Sequence, residues 1–334
     1  MKQLKLSASK WTKFDSCGQE YKMHYIDKIQ VFANSVTMWA GNAAEHMVQI
    51  YLENPDRRDK PDGIIKEGLV QALNDNLPER TDSFTKAYIE FVGNMPFDNI
   101  EEQIKTLNIE THKLTTKGLQ YKAGVVNIDG YKDGKYIKAP SLFTNVLYKL
   151  YDDLTHFFGT PEIKTFAKSV VNVLSQQTIE ALCPKGFGGV DKVMLTGIAD
   201  FLIETDDGRL LCMDCKYSAH DVDNYNLEVD RQMFLYTLIL TSLYPNKKID
   251  VGYLNPNQNK HGTAPIKMAD MSMLYSEVNS KRLESSIRHI AVSTEHDAFI
   301  PVCGGGAYKD LSRLCNLKCE CPYASQSKGG SEII

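Results

Sequence analysis

Asp200, Asp214 and Lys216 are the residues whose types and spacing could do chemistry. All three lie in "GIADFLIETDDGRLLCMDCKYS", residues 197–218. Hydrophobic runs at 198–203 and 210–213 flank Asp206-Asp207-Gly208, so the stretch reads as a β-hairpin with an Asp-Gly turn. Asp200 sits inside the first run, and Asp214 and Lys216 end the second. Side chains repeat every two residues along a strand, so Asp214 and Lys216 point the same way. Isolated charges buried in a sheet are very costly and must be paired or bind a metal. Two carboxylates alone repel, and a divalent cation removes that repulsion. Oxygen ligands with retained waters suit Mg2+ or Mn2+. Such an ion makes a bound water more acidic and neutralises phosphate charge, while Lys216 can orient or deprotonate the water. This is equipment for metal-assisted phosphodiester hydrolysis. The alternative is a surface hairpin carrying a salt bridge.

The elements around the hairpin follow from periodicity. Residues 7–30 read as a helix, capped by Ser7 or Ser9, with Trp11, Phe14, Cys17, Tyr21 and Tyr25 at three- and four-residue steps. A second helix is expected over about 35–53, ended by Asn54-Pro55. Residues 63–110 read as two or three amphipathic helices, 112–140 as short strands and turns, and 141–158 as a helix. "KSVVNVLSQQTIEAL" reads as a strand, and the loop "CPKGFGGVDK" leads into the hairpin. A helix over about 225–244, the strand "KIDVGYLNP" and a long helix over 268–294 follow, and residues 299–334 are turn-rich. The expected fold class is α/β, a mixed sheet flanked by helices with a helical insertion.

Composition bounds the setting. The chain has 334 residues, 43% hydrophobic and 24% charged, which is ordinary globular composition. No apolar run is long enough to cross a bilayer, and "MKQLKLSASKW" lacks the apolar core of a signal peptide. An intracellular, cytoplasmic protein without a membrane segment is expected. The net charge of −4 requires any nucleic-acid surface to be local. Lys113, Lys117, Lys122, Lys132, Lys135 and Lys138, interleaved with Tyr121, Tyr131 and Tyr136, offer such a surface or a solvated hairpin.

The hairpin resembles motifs of the PD-(D/E)XK nuclease superfamily in its RecB-like branch, where Gly-x-x-Asp, a hairpin and Asp-x-Lys follow one another. "DRQMFLYTLIL" resembles that branch's Gln-x-x-x-Tyr motif at Gln232 and Tyr236, one helical turn apart. "LSASKWTKFDSCGQEYKMHYID" resembles its opening helix, and "MWAGNAAEHMVQIYLEN" its Gly-to-His helix. The resemblance covers 6–54 and 170–256. It implies a restriction-endonuclease-like core, with Asp200 and Asp214 as metal ligands and Lys216 as the catalytic lysine. The Cys215 backbone carbonyl would complete the metal shell, and Gln232 and Tyr236 would hold the site and the DNA backbone. The branch's usual His slot, four residues after the helix Gly, holds Glu45, with His46 one beyond it. Glu45 shares a polar stripe with Met38, Asn42 and Gln49, whereas His46 falls with Trp39, Ala43, Met47 and Ile50. Glu45 is therefore the expected ligand and His46 the alternative.

Eight cysteines without a secretion signal argue against a disulfide framework. Cys303, Cys315, Cys319 and Cys321 crowd the last tenth of the chain. Some RecB-like nucleases join one opening-helix Cys to three tail Cys through a 4Fe-4S cluster. By that resemblance Cys17, Cys315, Cys319 and Cys321 would be its ligands. Four thiolates hold iron–sulfur or zinc equally well by type, and reduced thiols are the third alternative.

The expected organisation is 1–54, N-terminal helices of the nuclease core; 55–169, a mainly helical insertion; 170–300, the core with the catalytic hairpin; and 301–334, a Cys-rich tail. The expected function is a Mg2+- or Mn2+-dependent deoxyribonuclease. The resemblance adds exonuclease action on single strands or ends. The other reading is a non-cleaving DNA-binding or assembly factor on the same fold. No Walker-type phosphate loop occurs, so a helicase or recombination protein is an expected partner beside DNA. Oligomeric state is left open.

Overall fold

A two-residue strand, β1 (Lys5–Leu6), leads into α1 (Ala8–Ser16), α2 (Gly18–Tyr21) and a π-helical turn (Lys22–Ile26). α3 (Val36–Glu53) and α4 (Pro61–Asn74) follow. Two small hairpins, β2 (Gln120–Lys122) with β3 (Val125–Asn127) and β4 (Tyr131–Lys132) with β5 (Lys135–Tyr136), precede α5 (Leu142–Gly159) and α6 (Pro161–Ser169). Then come β6 (Val170–Leu182), β7 (Met194–Thr205), β8 (Leu210–Cys215), α7 (Arg231–Leu243), β9 (Ile249–Leu254), β10 (Ile266–Met268), α8 (Met271–Leu274) and α9 (Glu277–His296). The computed structural model describes residues 4–29, 36–74, 120–122, 125–127, 131–132, 135–136, 142–184, 192–217, 230–257 and 264–300. The tail cysteines at 303, 315, 319 and 321, the basic side chains of 113–138 and most of the helices expected over 63–110 lie outside these residues.

The sheet is mixed, as expected. β6 runs antiparallel along β7 from Val170↔Thr205 to Leu182↔Met194. The other edge of β7 is shared: β1 lies parallel to Met194 and Leu195, and β8 lies antiparallel to 201–204. β9 continues parallel to β8, and β10 closes the edge. Helices cover both faces. Side chains of α3, α4, α5 and α6 pack with Phe201, Ile203, Leu211 and Met213. Those of α1, α7, α8 and α9 pack with Leu195, Leu202, Cys212 and Val251. β8 is buried on both faces, which is why its sequence is a continuous apolar run rather than an alternation.

On β6 and β7 the core-facing residues change layer part-way. Leu195 and Ala199 join the α1/α7 layer, yet Phe201 and Ile203, of the same parity, join the α3 layer. β6 does likewise between Val173 and Ile179. A strand of unbroken alternation would keep one parity on one face. The crossover falls at Gln176 and Asp200.

Several boundaries differ from the periodic expectation, two of them because a side chain caps the helix. The helix expected over 7–30 breaks at Cys17, whose backbone is extended (φ −162°, ψ 111°). The helix expected from 225 begins at Arg231, because the Asp230 carboxylate accepts the N–H groups of Gln232 and Met233 at 2.7 and 2.9 Å. The helix expected over 268–294 is two, separated where Ser276 Oγ accepts the Asn279 N–H. β1 and β10 are too short to show a period.

Polar ties fix the layers. Asp15 of α1 receives Arg231 of α7 at 2.6 Å and Ser286 of α9 at 2.9 Å. Arg58 donates to the carbonyls of Tyr51, Leu52 and Ala167, joining the end of α3 to α6. Among the described residues no helix is long and apolar enough to cross a membrane.

Gly197 of β7 lies under the Tyr236 ring, where an added Cβ would stand 2.5 Å from a ring carbon. Gly197→Ala must displace that ring from a packed layer, and the expected loss is about 1–3 kcal/mol in chemical denaturation. Unchanged stability would show that the ring moves freely.

Candidate active site

The β7–β8 ladder stops at Phe201↔Met213. The next residues outward are Asp200 and Asp214, so both carboxylates lie where the strands part. Between that point and β1, residues 196–200 of β7 pair with no strand on this edge among the described residues. Side chains take over the missing ladder. Asp200 Oδ2 accepts the Cys215 N–H at 2.9 Å, and the Tyr236 hydroxyl donates to the Ile198 carbonyl.

Helix α7 supplies the next contacts. Gln232 Nε2 donates to Asp214 Oδ1 at 2.6 Å and reaches the Tyr236 hydroxyl at 2.9 Å. The two are one turn apart on the face that meets the sheet. Lys216 Nζ lies 2.6 Å from Asp214 Oδ2 and 5.6 Å from the centre of the Tyr253 ring. Asp214 is 2% exposed. Its Oδ2 is buried with no donor in hydrogen-bond geometry, so the Lys216 contact is an ion pair off the lone-pair directions. We therefore read the 2.6 Å approach as charge pairing.

Helix α3 brings Glu45 from the opposite layer. Glu45 is half-buried and accepts a hydrogen bond from Gln176 Nε2. Burial first, then the Asp214 charge, raises its carboxyl above the ordinary range. His46 turns away, its Nε2 2.9 Å from Gln71 Oε1 on α4. The structure thus brings Glu45, Asp200, Asp214, Lys216, Gln232 and Tyr236 together and leaves His46 outside.

The charges are unbalanced. Burial, then Glu45, raises Asp200. Burial raises Asp214 to about 7, opposed by Lys216 and reinforced by Asp200. Burial would lower Lys216, but Asp214 and Asp200 outweigh it and hold the ammonium charged. Among the described residues Lys216 is the one cation acting on all three carboxyls. Among the described residues no three His, Cys, Asp or Glu side chains are arranged so that they could hold a metal ion as they stand. By type the donor set suits a hard divalent ion: three carboxyl groups with one cation among them.

Gln232 and Tyr236 also border a cleft of about 890 Å³. Its other wall carries the hydroxyls of Ser9 and Thr12 with Lys13, and Arg231 and Arg282 line it too. Gln176, Asp230 and Tyr253 were not singled out from the sequence. The Asp230 cap was legible as an Asp before an apolar helix; Gln176 and Tyr253 gave no signal within their strands.

Residues 150–325 match the family model of the PD-(D/E)XK nuclease superfamily. Among solved structures the chain is similar to one named "Putative exonuclease" from Eubacterium rectale, at 11% identity and a TM-score of 0.44 over 92% of this chain and 88% of that one. That likeness adds nothing about activity. A search of curated proteins finds no match.

Burial pushes the Asp214 carboxyl up from an ordinary 3.8 to about 7, so the folded state holds its proton more tightly than the unfolded chain. That contribution to stability is complete below about pH 4 and lost as pH rises through about 7. In EDTA the melting temperature should fall between pH 6 and pH 8, and Asp214→Asn should flatten the fall. Thermal melts at the two pH values measure this, and identical slopes in both proteins would refute it.

Proposed function

The chain belongs to the PD-(D/E)XK nuclease superfamily, and from that premise we propose that it is a Mg2+- or Mn2+-dependent deoxyribonuclease, an exonuclease acting on single strands or strand ends. The observation that carries this reading is the Asp214–Lys216 ion pair, held beside Asp200 where the β7–β8 ladder ends. Asp200, Asp214 and Glu45 would hold the cation, with the Cys215 carbonyl completing the set. A bound divalent ion supplies Lewis acidity toward water and the scissile phosphate. Gln232 fixes the Asp214 carboxylate from one side, and Lys216 brings positive charge to the reacting phosphate and orients the attacking water. Tyr236 anchors the free edge of β7, which keeps Gln232 in register with Asp214.

The cleft beside Gln232 supports a single-strand substrate. Hydroxyls along α1 and the cations of Lys13, Arg231 and Arg282, which pair with Glu20 and Asp15 in this structure, would offer contacts for one sugar–phosphate backbone. A non-cleaving binding factor would have no use for a buried Asp–Lys pair crowded by two further carboxylates. A helicase or recombination protein is the partner proposed to separate the strands.

Cys17 belongs to the same proposal. It is buried, and the chain returns beside it: a Cβ on Gly18 would stand 3.1 Å from the Ile300 backbone, and Phe299 stacks on Tyr21 at 6.0 Å. The stretch leading to the tail cysteines thus starts next to Cys17, which supports a 4Fe-4S clamp from Cys17, Cys315, Cys319 and Cys321, with zinc as the other metal that thiolates favour.

Asp214→Ala and Lys216→Ala should each abolish metal-dependent digestion of single-stranded DNA while leaving DNA binding within a few-fold of wild type, because phosphate contacts elsewhere carry affinity. Digestion at the wild-type rate by both variants would overturn the site. Protein purified without air should be brown, and Cys17→Ser should bleach it and lower its melting temperature, because the clamp would tie segments far apart in the chain. Colourless protein with stoichiometric zinc would move the assignment to zinc, and absence of both metals would end it.

A further inference from the structure

We propose that Gln176 is a positioning residue of the metal site: it holds the Glu45 carboxylate toward Asp200 and Asp214. The inference rests on the reading of Glu45 as a metal ligand given above. Gln176 has φ 52°, in the left-handed region that a side chain with a Cβ rarely adopts. Among the described residues Lys28 and Asp297 share that conformation, and Asp297 caps α9, where it is common. Gln176 instead lies in the middle of a 13-residue strand.

The neighbouring register is intact. Ser175 pairs with Phe201 and Gln177 with Ala199, so no residue has been inserted and Gln176 stands opposite Asp200. Here both strands transfer their core-facing residues from one helical layer to the other. The side chain is exposed, so packing does not select it. What it does is donate its amide to Glu45 Oε1, across from β6 to α3. Strained backbone persists where the surroundings over-determine it, and such positions cluster at functional sites. A neutral amide is the suitable donor here: it fixes one Glu45 oxygen without bringing a competing positive charge, and leaves the other oxygen for a cation.

Gln176→Gly separates backbone from side chain. Glycine adopts φ 52° without strain, so a residue needed only for the strand crossover would lose nothing. The full-length protein, Gln176→Gly, Glu45→Gln and the double variant are compared by calorimetric Mn2+ titration, thermal melting in EDTA, and the Mn2+ dependence of single-stranded DNA cleavage. The expected result is Gln176→Gly melting at or above wild type in EDTA while its Mn2+ affinity falls roughly tenfold or more, as for loss of other outer partners of metal ligands. In the Glu45→Gln background the same change should add nothing, because its route is through Glu45. Equal Mn2+ affinity in wild type and Gln176→Gly overturns the proposal and leaves the nuclease reading standing. An effect that persists undiminished in the Glu45→Gln background also overturns it. A wild-type chain that neither binds Mn2+ nor cleaves overturns the nuclease reading and this proposal with it.

Discussion

The end of the β7–β8 ladder at Phe201↔Met213 is the constraint on which the site depends. A sheet that kept pairing would bury Asp200 and Asp214 within a closed ladder, where charge has no outlet. Because β8 leaves β7 beyond Phe201 and β1 meets β7 at Met194 and Leu195, a stretch of β7 has no strand on one edge among the described residues. The exposed backbone there must still find partners. The Asp200 carboxylate and the Tyr236 hydroxyl provide them, so the groups that repair the sheet are also the groups that build the site.

The two helical layers meet at this gap. α7 reaches Asp214 from one face through Gln232, and α3 presents Glu45 from the other. Neither helix could do so across an intact sheet. The change of packing face on β6 and β7 at Gln176 and Asp200 makes the approach from both sides compatible with a continuous core above and below. Gly197 serves the same end, since only a residue without a Cβ lets the Tyr236 ring lie against β7.

Electrostatics then explain why the site asks for a cation. Burial and mutual repulsion raise Glu45, Asp200 and Asp214 together, and among the described residues Lys216 is the one cation that offsets all three. A structural ion pair would carry matched charges. Here the excess is negative and the donors are oxygens. A hard divalent ion, as in the proposed function, would balance that excess through the same oxygens.

The sequence alone determined the fold class and the central residues. The Asp-Gly turn between apolar runs specifies the hairpin, the period of two puts Asp214 and Lys216 together, and the helical stripe on 38–54 separates Glu45 from His46, because these are local rules of side-chain direction. Boundaries set by single caps, at Asp230 and Ser276, blurred because a capping side chain interrupts a pattern without changing its composition. What only the tertiary structure decided is non-local. β1 and β10 are too short to announce themselves and exist through their partners. The place where the ladder ends is set by how β1 and β8 share one edge of β7. The pairing of Gln176 with Glu45 joins residues 131 apart through a backbone conformation that no residue type in that strand requires. Local pattern says which way a side chain points on its own element, and only packing says what it meets.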